Sequence, residues 1–147
     1  MRIAVASDHA AVALKSELVP WLRGGGHDVS DLGTDGSDSV DYPDFGFILA
    51  DAIAHGEAEL GIALCGSGIG IAIAMNRNPA VRCAQVSEPR SARLARPHNE
   101  AYAIALGSRL VGVDMAKACV EAFLGAEFSG GRHTHRVEKL SKMPQDA

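Results

Sequence analysis

The sequence is poor in several features that mark particular classes of protein. It has only three cysteines in 147 residues and no Cys-x-x-Cys pair, which argues against a disulfide scaffold and favours a reducing, cytoplasmic location. No apolar run approaches the ~20 residues of a bilayer span, and Asp8 and His9 come too early for a signal-peptide core. Acidic residues outnumber basic ones, 18 to 14, whereas nucleic-acid-binding proteins usually carry a basic surplus. We therefore expect neither a membrane nor a nucleic-acid partner.

What the sequence does contain is a regular alternation of short apolar runs with helical patterns. Strands are predicted over residues 2–7, 27–32, 60–65, 81–86 and 101–106. Helices are predicted from about residue 11, and over 42–54, 67–75, 88–96, 114–124 and 133–143. Pro20 should strain or end the first helix early. The alternation predicts one doubly wound α/β domain over residues 1–147, with a five-stranded parallel sheet and a C-terminal arm.

The strongest local signal is the run CGSGIG at residues 65–70, between a predicted strand and a predicted helix. Its glycines let backbone N–H groups point at an anion, and the helix dipole favours the thiolate form of Cys65. The alternative is a glycine-rich turn around an inert, buried cysteine. The run is not a dinucleotide fingerprint, because Ile71 stands where the third glycine would be, and it lacks the lysine of a P-loop. It also lacks the arginine of a cysteine phosphatase, and we expect no cofactor.

Two histidines lie in positions where they could contact a ligand. His9 follows Asp8 at the end of the first predicted strand, where doubly wound sheets bind ligands. Asp8 could equally cap the following helix, and His9 could be a surface residue. His98 follows the fourth predicted helix, and histidine is the usual proton donor or acceptor in catalysis. A single loop histidine is nevertheless more often a bystander.

The late segment RHTHR, residues 132–136, carries two arginines one helical turn apart. Arg132 and Arg136 could therefore grip one phosphate, although a solvated helix face is the usual role of such pairs. His133 and His135 are two residues apart and face different sides of a helix, so we expect no metal site. Cys83 and Cys119 lie in apolar elements and are expected to be packing residues.

These candidates together favour one kind of chemistry. They comprise a polarised cysteine, a hydroxyl, a backbone anion hole, a histidine, an Asp–His pair and several arginines. Such a set suits cofactor-free proton abstraction next to a carbonyl in a small phosphorylated molecule, because an enediolate needs a base, an oxyanion cradle and a remote anchor. The residues do not name the sugar.

Several longer segments resemble one known family. They are ASDHAA, DYPDF, LCGSGIGIAIAMNR, VRCAQVSEP, SARLARPHNEA, LGSRLVG and FSGGRHTHRVE, in unbroken order along nearly the whole chain. Together they resemble the type B ribose-5-phosphate isomerases, whose wider family includes galactose-6-phosphate and allose-6-phosphate isomerases. The resemblance implies a Rossmann-like α/β/α sandwich that forms a homodimer or a dimer of dimers, with active sites at the subunit interface.

The resemblance also implies roles for individual residues. For catalysis it implies Cys65 as the base between C1 and C2, His98 as the acid that opens the furanose ring, Asp8 as its assistant, and Ser67 as a holder of the enediolate. For substrate binding it implies Tyr42, Gly66, Gly68, Ile69, Gly70 and Asn99, with His9, Arg132, Arg136 and, in some members, Arg109 as phosphate ligands. His98 and its neighbours are expected to come from the partner chain, on which the arm over about residues 130–147 would pack. One branch of the family has a glutamate base directly after the glycine loop, and Ile71 at that position places this chain in the cysteine branch.

Three functions remain after this reading. The leading one is an isomerase of ribose 5-phosphate and ribulose 5-phosphate. The same mechanism could act on a six-carbon sugar phosphate such as allose 6-phosphate or galactose 6-phosphate. A non-catalytic sugar-phosphate-binding protein would need the arginines and the glycine loop, but not both Cys65 and His98.

Overall fold

The computed structural model describes residues 1–142 and Pro144, and within them it has five strands and six α-helices. The strands are β1 (Arg2–Ser7), β2 (Asp28–Asp31), β3 (Leu60–Cys65), β4 (Cys83–Gln85) and β5 (Ala103–Gly107). The helices are α1 (Val12–Gly24), α2 (Tyr42–Ala54), α3 (Ile69–Met75), α4 (Pro89–Leu94), α5 (Val113–Leu124) and α6 (Thr134–Leu140). Short 3-10 turns at His9–Ala11 and Gly131–His133 precede α1 and α6. The end of the last predicted helix, Met143, lies outside the described residues.

All strand pairs are parallel, in the order β2-β1-β3-β5-β4, which confirms the predicted five-stranded parallel sheet. The chain leaves β1 towards one edge of the sheet and returns through β3 towards the other. Doubly wound sheets bind ligands at such a reversal, beyond the carboxyl ends of the strands. The residues that emerge there are Asp8 after β1 and Cys65 at the end of β3.

The sheet separates two apolar cores, and the side chains on its two faces differ in size. One face presents large residues, among them Ile3, Ile62 and Leu64, to a core that includes residues of α1 and α5. The other presents small residues, among them Ala63 and Ala105, to a core that includes residues of α2 and α3. Because side chains alternate along a strand, Cys65 faces the α2 and α3 side.

Pro20 is predicted to strain or end the first helix early; the early end is wrong, since α1 continues through Pro20 to Gly24. A proline inside a helix costs about 3 kcal/mol. Leu18 and Leu22, on the inner face of α1, are both fully buried, and burying each contributes about 2 kcal/mol. Pro20 itself is exposed, so the carbonyl that loses its helical partner lies on the solvent side. Packing therefore outweighs the local preference.

Other boundaries differ for identifiable reasons. The helix predicted from residue 67 begins at Ile69, because Gly68 has φ +77° and cannot be a helical residue. The strand predicted over 81–86 shortens to β4, an edge strand. There the side chain of Asn76 donates to the Cys83 carbonyl at 2.9 Å and accepts from the Cys83 N–H at 2.8 Å, in the way a further strand would.

Candidate active site

The glycine loop follows β3, and several of its residues line one cleft of the molecule. The Gly68 N–H donates to Sγ of Cys65 at 3.1 Å, and the cysteine is 3% exposed. The Ile69 N–H donates to Oγ of Ser67 at 3.2 Å, which leaves the hydroxyl proton of Ser67 free to be donated elsewhere. Backbone bonds from Ser108 to the Cys65 carbonyl and from Arg109 to the Gly66 carbonyl, 2.9 and 3.0 Å long, tie the loop to the end of β5.

Two glycines of the loop are required by close approach. A Cβ on Gly68 would lie 2.9 Å from the backbone carbon of Leu106, and its φ of +77° disfavours any other residue. A Cβ on Gly70 would lie 2.5 Å from Cε2 of the Tyr42 ring, so that ring packs directly on the loop. These contacts place the Tyr42 ring against the first turn of α3.

The turn after β1 brings Asp8 and His9 to the same cleft. Asp8 is buried and its Oδ1 accepts the Ala10 N–H at 3.0 Å, so the capping role left open by the sequence is real. Asp8 also lines the cleft, and the two roles coexist. His9 accepts the Val40 N–H on Nδ1 at 3.1 Å. Because an acceptor nitrogen carries no proton, this bond assigns the ring proton of neutral His9 to Nε2.

The cleft has a volume of about 610 Å³, within the range usual for small-molecule sites. It is lined by Asp8, His9, Ala10, Tyr42, Cys65, Gly66, Ser67, Ile69, Gly70, Ile73, Arg109 and Leu110. The Arg109 guanidinium lies over Gly66, where a Cβ would be 3.1 Å from Nη1. The cleft thus combines a thiol, hydroxyl and backbone donors, a carboxylate, an imidazole and a guanidinium.

Three of the remaining predicted residues, His98, Arg132 and Arg136, lie together with His133, and we call these four residues the His98 cluster. The rings of His98 and His133 stack with centroids 4.6 Å apart and planes 17° apart. Burial and the positive charges of His98, Arg132 and Arg136 lower the pKa of His133. Arg132 and Arg136 are exposed, as is Asn99 beside the cluster.

Arg82, which the sequence did not single out, connects the loop after His98 to the arm. Its Nε donates to the carbonyls of Asn99 and Glu100 at 3.0 and 3.1 Å, and its Nη1 donates to Oγ of Ser141 at 2.7 Å. Its guanidinium also lies 4.9 Å from the centre of the Tyr102 ring. A single arginine in a short strand region gives no sequence signal for such a role.

The cleft and the His98 cluster lie at opposite ends of the sheet. The loop carrying His98 leads into the amino end of β5, whereas Arg109 follows the carboxyl end of the same strand. Five residues of strand span roughly 16 Å. Accordingly His98, Asn99, Arg132 and Arg136 do not line the cleft of their own chain.

The three cysteines have different surroundings. Burial raises the pKa of Cys83 to about 12, and burial together with the charge of Glu88 raises the pKa of Cys119. Both thiols therefore stay protonated near neutral pH and pack in the apolar interior, as expected. Cys65 is the cysteine that lines the cleft.

Over residues 1–142 and Pro144, no three His, Cys, Asp or Glu side chains lie where they could hold one metal ion. In the same residues, no helix has the length and apolarity needed to cross a membrane.

The chain is similar to known proteins along nearly its whole length. A family model described as Ribose/Galactose Isomerase matches residues 3–140. The ribose-5-phosphate isomerase B of Escherichia coli (strain K12) is 44% identical over 144 residues, covering 98% of this chain and 97% of that protein. The solved ribose-5-phosphate isomerase B of Clostridium thermocellum has a TM-score of 0.94 and 47% identity, covering 96% of this chain and 95% of that one. The enzyme of Mycoplasma genitalium, solved with bound ribulose 5-phosphate, has a TM-score of 0.92 and 38% identity, covering 95% and 93%.

Proposed function

The chain belongs to the ribose/galactose isomerase family, and from that premise we propose that it interconverts D-ribose 5-phosphate and D-ribulose 5-phosphate through an enediolate, with Cys65 as the base. The observation that carries the assignment of the base is the position of its sulfur. Sγ of Cys65 accepts the Gly68 N–H at the end of β3, and the cysteine lines the cleft. The non-catalytic alternative has no support, since the relatives are isomerases.

The proton transfer follows from this arrangement. The Cys65 thiolate removes the proton from C2 of the open-chain aldose, the electron pair of that C–H bond forms the C1–C2 double bond, and the π pair of the C1 carbonyl moves to O1 as the negative oxygen of the enediolate. O1 then takes up the proton that O2 loses, an electron pair of O2 forms the C2 carbonyl, and the pair of the C1–C2 double bond takes the proton back from the thiol at C1. Ser67 and the N–H groups of the loop from Gly66 to Gly70 stabilise the negative oxygen.

The substrate phosphate would accept hydrogen bonds from residues of the chain that carries the cleft. His9 presents Nε2–H, because its Nδ1 is already occupied by the Val40 N–H. Arg109 lines the same cleft and adds a charged donor. Tyr42 closes the side wall against Gly70, where it would contact the sugar.

The remaining residues reach the substrate from a second copy of the chain. His98, as the ring-opening acid assisted by Asp8, would enter with Asn99, Arg132 and Arg136 from the partner. Two observations support this arrangement. The His98 cluster and the cleft of one chain lie at opposite ends of the sheet, and the cleft is flanked by exposed apolar side chains that a partner would cover. These are Ile69, Ile73 and Leu110, which are 52%, 62% and 61% exposed.

The assembly we propose is a homodimer or a dimer of dimers, with residues 1–147 acting as one isomerase domain. The arm over about 130–147 would pack on the partner, and its residues Met143 and Gln145–Ala147 lie outside the described structure. The three free cysteines fit a reducing, cytoplasmic location. The reaction would place the enzyme in the pentose phosphate pathway.

The six-carbon alternative keeps a specific basis, because the matched family is described as including galactose isomerases as well as ribose isomerases. The same base and enediolate would serve allose 6-phosphate or galactose 6-phosphate. The experiment therefore has to identify the preferred substrate as well as test the mechanism.

The experiment is an isomerisation assay in EDTA with ribose 5-phosphate, allose 6-phosphate and galactose 6-phosphate. The Cys65→Ala variant tests the base, and Cys83→Ala is the matched control, because it removes a buried thiol outside the cleft. We expect turnover of ribose 5-phosphate to fall about 1000-fold in Cys65→Ala and to stay within about twofold in Cys83→Ala. Turnover of a hexose phosphate without turnover of ribose 5-phosphate would show that the substrate is a six-carbon sugar phosphate. A rate near that of the wild type in Cys65→Ala would overturn the assignment of Cys65 as the base.

A further inference from the structure

We infer that Lys15, on α1, is a positioning residue. It fixes the loop of residues 33–40 and thereby the imidazole of His9. The inference rests on the proposed function insofar as His9 is assigned to the substrate phosphate. Its structural part concerns only how His9 is held, and it can be measured without substrate.

Lys15 lies on α1, is 2% exposed, and directs its ammonium group to two carboxylates. Nζ lies 2.7 Å from both carboxylate oxygens of Asp31 and 2.7 Å from Oδ1 of Asp35. An ammonium group has three N–H donors, so these three oxygens use all of them. A buried charge has to be paired, and the lysine therefore holds the end of β2 and the loop that follows in one position.

The charge state of Lys15 agrees with this role. Burial lowers its pKa, but the hydrogen bonds and negative charges of Asp31 and Asp35 raise it by more, and the net direction is upward. The ammonium group thus stays charged at any pH at which the enzyme would work.

The loop runs from this anchor to His9. Its first part is fixed by backbone bonds, since Gly33 and Thr34 pair with Ser7 at 2.7 Å in both directions, and the Gly33 N–H donates to Asp31. Residues 35–39 are all exposed. Within that exposed stretch Asp35 provides a bond to the buried Lys15, and the next residue with an inward bond is Val40, which donates to Nδ1 of His9.

Loss of the Lys15 anchor should act on binding more than on proton transfer. Without the Val40 N–H, Nδ1 of His9 becomes free to carry the ring proton, and Nε2 stops being an obligatory donor. The phosphate would then lose a donor that acts in the ground state and the transition state alike, which raises KM with little change in kcat. Cys65 is held by β3 and β5, which the loop does not touch in the strand pairing.

The experiment compares Lys15→Met with Lys117→Met, which removes a lysine that lies over the Trp21 ring at 5.6 Å on the side of α5. In Lys15→Met we expect KM for ribose 5-phosphate and the inhibition constant of inorganic phosphate to rise about tenfold, with kcat within about twofold. The 15N spectrum of His9 should change from one tautomer to a mixture. Lys117→Met should match the wild type in every measurement.

Two further variants keep the test decisive. Asp35→Asn alters an 83% exposed side chain, does not threaten folding, and should raise the same two constants about threefold. In a His9→Ala background, Lys15→Met should add nothing to KM, because both changes remove the same donor. The inference is overturned if both Asp35→Asn and any folded Lys15→Met leave KM, phosphate inhibition and the His9 spectrum unchanged. A wild type that neither isomerises nor binds phosphate would instead overturn the proposed function, while the His9 spectrum would still report on the Lys15 anchor.

Discussion

The two ends of the sheet carry the two groups of candidate functional residues, and the two ends are constructed differently. At the carboxyl end, the cleft is held by backbone bonds between the ends of β1, β3 and β5 and by glycines with no room for a side chain. At the amino end, the His98 cluster is held by side chains: Arg82 bonds to the 99–100 carbonyls and to Ser141, and two histidine rings stack. The first end is fixed within one chain, whereas the second exposes its arginines outward. This difference suits the roles proposed for the two groups, a base that must be placed accurately and a group from a partner chain that closes over the substrate.

Mixing two inactive variants tests whether the two ends meet across a dimer, and it has the largest expected effect. Cys65→Ala and His98→Asn should each be nearly inactive alone. After subunit exchange, half of the dimers are mixed, and each mixed dimer has one intact site of two, so activity should return to about a quarter of the wild type. The rate is measured on mixtures before and after exchange. A mixture that stays inactive although exchange is shown by mass spectrometry would mean that each site is built from one chain.

Removing Arg82 tests whether the amino end depends on side chains. Arg82→Met loses the bonds to Asn99, Glu100 and Ser141, and we expect kcat to fall about thirtyfold because His98 is no longer held. The control is Arg93→Met, which removes an exposed arginine from α4. Steady-state kinetics and the melting temperature are measured together. If the amides of the arm exchange faster in Arg82→Met while kcat stays unchanged, the arm does not position His98.

Arg136→Ala sharpens the assignment of the outward arginines. A phosphate contact acts in the ground state and the transition state alike, so KM should rise about tenfold with kcat nearly constant. Lys139→Ala, which also removes a positive charge from α6, should leave KM within about twofold. If KM is unchanged in both variants, the arm faces solvent.

The pH dependence of the His98–His133 stack should be the smallest effect. The pKa of His133 is lowered in the folded protein, so its contribution to stability is fully present above the ordinary value of 6.5 and is lost as the pH falls through the lowered value. The protection factors of the amides of residues 129–140, which are the exchange rates corrected for the intrinsic effect of pH, should therefore fall by a few-fold between about pH 7.5 and 5.5. In His133→Asn this pH dependence of the protection factors should flatten. Protection factors that are independent of pH in the wild type would show that the stack does not hold the arm.

The sequence predicted the regular elements best where burial and local preference agree. The predictions for β1, β3 and α2 match the structure at both ends, because each is bounded by glycine, proline or a polar turn beside a continuous apolar pattern. They failed at Pro20 and at the short β4, where packing of Leu18 and Leu22 and the Asn76 side chain decide the outcome. Such contacts join residues whose meeting no local pattern reveals.

For the candidate site, the sequence by itself determined the glycine loop, Cys65 within it, and Asp8 and His9 at a strand end. Short motifs at the ends of parallel strands gather at one edge, so their proximity follows from the order of elements. Only the tertiary structure decided that His98, Arg132 and Arg136 lie at the other end, that Arg82 joins residues 99 and 100 to Ser141 of the arm, and that Lys15 anchors the loop that orients His9. The physical reason is that hydrogen bonds and ion pairs between distant segments depend on which helix faces meet, and that is set by packing of the whole core.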